Sequence, residues 1–133
     1  MTMKTKRNRI RDEQGQAMTE FAIVLPILIV LLFGIVQFGI LFNNYVTMTD
    51  AVRAGARAAA VSRQNGDPSG TATAAVRSSA NDLNQAKLGV SVSSAWTPGA
   101  PVTVQATYPY AISLLGWVVT SGNLTTKTTE AVE

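Results

Sequence analysis

The chain has 133 residues and a mass of 14.1 kDa, enough for one small domain. Only 14% of its residues are charged, against roughly 25% in an ordinary soluble domain. It contains no His and no Cys, which excludes imidazole acid–base chemistry, thiol nucleophiles, disulfides and metal sites built from imidazole or thiolate. The formal net charge of +3 sits entirely in residues 1–15, where Lys4, Lys6, Arg7, Arg9 and Arg11 outweigh Asp12 and Glu13; the remainder carries six basic and six acidic groups. A neutral body argues against a nucleic-acid surface. A short basic tail ahead of an apolar run is instead the pattern of a cytoplasmic flank of a membrane helix.

That run is Phe21–Phe42, 22 residues in which Gln37 is the one overtly polar side chain. As a helix it spans about 33 Å, sufficient for a bilayer core of about 30 Å. A secretory signal has a shorter apolar region, about 7–15 residues, and a small-residue cleavage site after it. Here Asn43, Asn44 and Tyr45 follow, so the segment reads as a retained transmembrane helix over residues 16–42. Pro26 removes one hydrogen bond near its start. Gly34 and Gly39 are five apart and do not form a GxxxG pair.

Between tail and span stands Gly15-Gln-Ala-Met-Thr-Glu20-Phe21. Taken singly, Gly15 is a flexible joint, and Glu20 is an acid in the first turn of a helix, where it complements the macrodipole. Taken with its flanks, the stretch resembles the prepilin processing signal of type IV pilins and pseudopilins. The resemblance implies cleavage by a prepilin peptidase after Gly15, Gln16 as the new N-terminus, and Glu20 as the fifth mature residue, acting with Phe21 at the assembly end of the helix. Gln16 departs from the family's usual first residue, Phe or Met, which is often N-methylated. Within that superfamily the chain is similar to TadE-like proteins of tight-adherence (Flp) pili. The GxxxxEFA-type motif matches Gly15 to Ala22 and runs on into Val24-Leu25-Pro26, and an Arg/Gly/Ala-rich segment follows at Asp50 to Ala60. This implies a minor pilin or pseudopilin, single-pass in the cell membrane with its N-terminus cytoplasmic. Its partners would be the membrane, the prepilin peptidase, other pilin-like subunits and the assembly machinery, with no nucleic acid and no small-molecule substrate.

Beyond the span, Asn43 to Arg63 is Ala-rich and continues the helix as a stem over residues 43–64. Tyr45, Met48, Val52, Gly55, Ala56 and Ala59 share one face. Val52, Gly55, Ala56 and Ala59 form its smooth packing stripe, while Asp50, Arg53 and Arg57 lie opposite and can pair. The start of the expected helix is near Thr19 and its end near Arg63. Asn65 to Gly70 is a turn cluster. A short amphipathic helix is expected over Thr71–Lys87 and a strand over Leu88–Ala95. After a turn at Thr97–Pro101 a second strand is expected over Val102–Tyr108, stopped by Pro109. Ala111–Val119 reads as a short buried helix or irregular cover, and Asn123–Val132 as a last strand. Trp96, Tyr108, Tyr110 and Trp117 read as core aromatics. The expected fold class is α+β and type IV pilin-like: a long transmembrane and stem helix, then a small domain at 65–133 with one short helix and about three antiparallel strands.

No cofactor is implied. An enzyme would have only Asp, Glu, Ser, Thr, Tyr and Lys to work with, and no spacing pairs a nucleophile with a base. The competing reading is a single-pass membrane protein whose extracytoplasmic domain is a binding module.

Overall fold

The computed structural model describes the backbone of residues 5–114 and 116–133 and the side chains of residues 14–114 and 116–133. Of the expected leader, residues 1–4 and the basic side chains up to Arg11 lie outside the described residues. The order is α1 (Thr5–Val61), α2 (Pro68–Ser79), β1 (Gly89–Ser94), β2 (Pro101–Leu114) and β3 (Trp117–Ala131). The strands form one antiparallel sheet in the order β1-β2-β3. This is the α+β layout expected. The chain divides into two compact units after Gln37.

The described residues of the first unit are all helical. α1 begins at Thr5 rather than near Thr19, so Gly15 is a helical residue and not a joint, and Glu20 is not in the first turn. From Phe21 to Phe42 the large apolar side chains other than half-buried Leu41 are exposed: Phe21, Ile27, Leu32 and Ile35 are each at least 60% accessible. No part of the most apolar stretch is buried by the rest of the chain. Exposure of that many contiguous apolar side chains in water is untenable for a soluble protein. A bilayer supplies the missing contacts, so the helix fits a single-pass membrane protein.

The second unit holds the core. Met48, Ala51, Val52, Ala56, Ala59 and Ala60 from the end of α1 are buried with Ala72 and Val76 of α2 and Val102, Val104 and Ala106 of β2. The stripe of small residues lets the elements approach closely at Gly55. A Cβ there would overlap Val76 Cγ2 and stand 3.1 Å from the Ala72 carbonyl oxygen and 3.4 Å from Val104 Cγ1. Tyr45, read on the same face, is 43% exposed, because the buried stripe starts only at Met48.

α1 stops at Val61, not Arg63. Buried Ser62 turns the chain: its Oγ donates to Ala59 O at 3.1 Å and to Pro68 O at 3.5 Å. The chain end is tied to this corner, with Arg63 Nε donating to Glu133 O at 2.9 Å and Glu133 N donating to Ala60 O at 3.0 Å. α2 starts earlier and ends earlier than expected. Asp67 caps it by accepting from Gly70 N at 2.8 Å, with Pro68 in the first turn, where its missing N–H costs nothing. After Ser79 the chain turns through 80–88 without helix; Arg77 donates to Gln85 O at 3.0 Å and to Leu88 O at 3.4 Å across that turn.

The sheet departs from the expected pattern at its far end. Pro109 does not stop β2. It pairs with Asn123 in an unbroken ladder that runs to Ile112, where the register shifts. β1 reaches only to Gly89↔Thr107, so beyond it β2 has an open edge, and an edge tolerates a residue with no N–H. Ala111–Val119 is therefore the outer part of a hairpin, closed at Leu114↔Trp117 beside Gly116 with φ 87°. The β-branched and aromatic residues Ile112, Trp117, Val118, Val119 and Thr120 favour strand over helix. Trp117 is 82% exposed, not core. Trp96 and Tyr108 do pack against the core, whereas Tyr110 lies over Gly122, its cross-strand partner, within 3.1 Å of where a Cβ would sit.

Candidate functional site

The chemistry-bearing residues of the first unit gather in one and a half turns of α1. Thr19 Oγ1 donates to Gly15 O at 2.9 Å, and Gln16 Nε2 donates to Glu20 Oε1 at 3.0 Å. Both are i, i+4 contacts, the spacing that stacks side chains on one helix face. The carbonyl of Gly15 therefore accepts from a side chain in addition to being part of the helix. All of these groups are exposed, and nothing in the described structure lies within 4 Å of a Cβ placed on Gly15. No demand of this fold requires glycine at that position.

Glu20 has helical neighbours Gln16, Ala17, Ile23 and Val24 at three and four residues, and none is cationic. Its recorded partner is a neutral amide. A carboxylate facing an apolar span with only an amide for company is short of compensating charge.

Phe21, exposed at 60%, follows Glu20 immediately, and Pro26 lies one further turn along with Ile27, Val30 and Leu31 beside it on an exposed apolar flank. Phe42 lies at the other end of the apolar run, near Tyr45, Val46, Thr49 and Arg53. Asp50 and Arg53 form an exposed ion pair at 3.6 Å, of the kind worth well under 1 kcal/mol. Val52, Gly55, Ala56 and Ala59 belong to the core described above and are not on a surface. Among the described residues no group of three or more acidic side chains is placed to hold a metal ion.

A sequence comparison bears on this same stretch. Residues 15–57 match the family of TadE-like proteins. The match starts at Gly15, takes in the Gln16–Glu20 pair and the apolar run, and ends within the part of α1 that packs on the sheet. It covers about a third of the chain. No curated protein and no solved structure matches the chain significantly. Sequence reasoning named the residues of the TadE-like motif but missed its two internal hydrogen bonds. Their signal is the i, i+4 placement of Gly15 with Thr19 and of Gln16 with Glu20 on a helix that begins before the motif.

Proposed function

We propose that this chain is a minor pilin or pseudopilin that takes part in assembling a tight-adherence pilus. Residues 1–15 are a cytoplasmic leader, removed after Gly15 by a prepilin peptidase. Residues 16–42 span the membrane, 43–64 form a stem and 65–133 an extracytoplasmic domain. Glu20, with Phe21 beside it, selects the neighbouring pilin-like subunit. The observation that carries this reading is the start of the TadE-like match at Gly15, five residues before Glu20, the one carboxylate between Gln16 and Phe42, at the head of the apolar and unburied stretch of α1.

The energetics support a role between subunits. A charge at the centre of the bilayer core costs about 2.5–3.5 kcal/mol on insertion scales. Attraction to a cation about 4 Å away is worth about 4 kcal/mol at an effective dielectric of 20, more than the cost. The amide of Gln16 supplies no such charge, while the N-terminal ammonium of a neighbouring subunit does. Complementing its own helix dipole would give Glu20 only about 0.3–1 kcal/mol.

Glu20→Gln separates the alternatives. It keeps the hydrogen bond with Gln16 and removes the charge. The expected result is normal insertion and processing with a sharp fall in crosslinking to pilin partners and in surface fibres. Wild-type fibre levels in a strain carrying only Glu20→Gln would remove the assembly role.

A further inference from the structure

The residue that processing would expose is a glutamine, and its side chain is already engaged by the carboxylate four residues on. Gln16 Nε2 donates to Glu20 Oε1 at 3.0 Å, and both side chains are exposed, so nothing else in the described chain restrains them. While Gly15 is attached, the nitrogen of Gln16 is an amide and unreactive. Once the Gly15–Gln16 bond is cut, that nitrogen becomes a primary amine four bonds from the electrophilic amide carbon of its own side chain. A helical Cα–Cβ bond tilts toward the N-terminus, so the side chain of a first residue leans back past its own amine.

We propose that Gln16, once it is the N-terminus, closes to pyroglutamate, with Glu20 carrying the proton. This inference rests on the processing reading above. The amine nitrogen attacks Cδ of its own side chain, the N–Cδ bond forms and the Cδ–Nε2 bond breaks. One proton passes from the attacking nitrogen to the departing one, and ammonia leaves. No oxidant, reductant or co-reactant is needed. The Glu20 carboxylate, which holds the departing nitrogen, takes the proton from the amine and returns it to Nε2.

The product is a neutral five-membered lactam. A subunit ending in it keeps the Glu20 carboxylate for a neighbour's ammonium but has no ammonium of its own to offer. It is one-sided in any assembly that pairs N-terminal charges with the fifth residue, as a subunit at the end of a fibre would be.

The test is an amine-reactive label applied to freshly lysed cells before digestion, followed by mass analysis of the peptide that begins at Gln16. The label marks any amine still free at lysis, so cyclisation during handling is not counted. The expected result is an unlabelled peptide lighter by one ammonia. Gln16→Asn, whose shorter side chain cannot close the same five-membered lactam, is expected to give a fully labelled N-terminus. Glu20→Ala is expected to raise the labelled fraction among cleaved chains. A Gln16 terminus recovered as a free or methylated amine overturns the inference and leaves the processing reading intact. A chain still carrying residues 1–15 overturns both. An equal labelled fraction in wild type and Glu20→Ala, both cyclised, removes the proton-carrying role of Glu20.

Discussion

At Gly15, Gly55 and Asp67, a single atom decides what the position can accept. Gly15 and Gly55 are both helical glycines, yet for opposite reasons. Gly55 is pressed by Val76 and by the Ala72 carbonyl, whereas Gly15 has open space around it. Replacing Gly55 with Ala gains about 1 kcal/mol of helix propensity but forces a methyl into Val76 Cγ2 beside a backbone oxygen that cannot swing away. Overpacking of this kind costs about 1–3 kcal/mol, and the overlap wins. Gly55→Ala is expected to lower the thermal midpoint of the detergent-solubilised chain. Adding Val76→Ala should restore part of it, so that the double variant loses less than the two single losses combined. Strict additivity would show that the two residues do not touch. Gly15→Ala should instead leave folding intact or firmer. The same change is expected to slow processing, because a peptidase needs the scissile segment extended and a better helix former resists unwinding. Gly15→Leu should abolish processing with no loss of stability, which a pulse-chase of leader removal together with a melting curve would separate.

Asp67 shows the reverse case, an exposed side chain with a defined task. Its hydrogen bonds from Gly70 N and then from the Ser69 hydroxyl favour the carboxylate and hold its pKa below the ordinary value. A lowered folded-state pKa means a stability contribution that is complete above the unfolded value, about 3.9, and lost as pH falls through it toward the folded one. The melting temperature of the wild type should therefore drop more steeply than that of Asp67→Asn as pH is taken below about 4. Asparagine still caps the helix but has no charge to lose. Parallel curves for the two proteins would count against the cap. Gly70 is needed for the same contact, since a Cβ there would run into the Asp67 carboxylate.

Elements were legible in the sequence where one period dominated and obscured where two chemistries competed. The alternation of Val102, Val104 and Ala106 marks the buried face of the central strand and its start, because side-chain period maps directly onto burial. α2 lies several residues before the position its apolar spacing predicts. Apolar spacing persists past Ser79, but the real boundaries are set by the Asp67 cap and by Arg77 bonding the carbonyls of the following turn. The β2–β3 hairpin extends beyond Tyr108, where local sequence predicts a stop, for a different reason. Pro109 is a strand breaker only where its missing N–H would face a neighbour, and whether β1 reaches that far is a fact of register, invisible in a local window. Position 122 gives the same lesson: Gly122 weakens a strand on its own, but Tyr110 lies across it and shields the bare backbone. At the candidate site, the sequence carried the identities of Gly15, Gln16 and Glu20 but not their contacts, since the expected helix begins near Thr19, after Gly15 and Gln16.

For the whole molecule, the charge distribution sets an expectation about sidedness. Residues 1–15 carry a net +3, while residues 43–133 carry six basic and five acidic groups, the nearest basic one after the span being Arg53. By the rule that Lys and Arg near a span remain inside, a periplasm-only reporter fused after Glu133 should be active and a cytoplasm-only reporter silent. The reverse pattern would invert the topology and remove the extracytoplasmic domain from the account.

A pilin-like role for this chain depends on its processing as a prepilin between Gly15 and Gln16. The direct measurement is the intact mass of the protein purified from its own cells, with and without the prepilin peptidase. The expected result is a chain beginning at Gln16 when the peptidase is present and a chain retaining residues 1–15 when it is deleted. A chain retaining residues 1–15 in both strains would contradict it, leaving a single-pass membrane protein whose likeness to pilins ends at its helix.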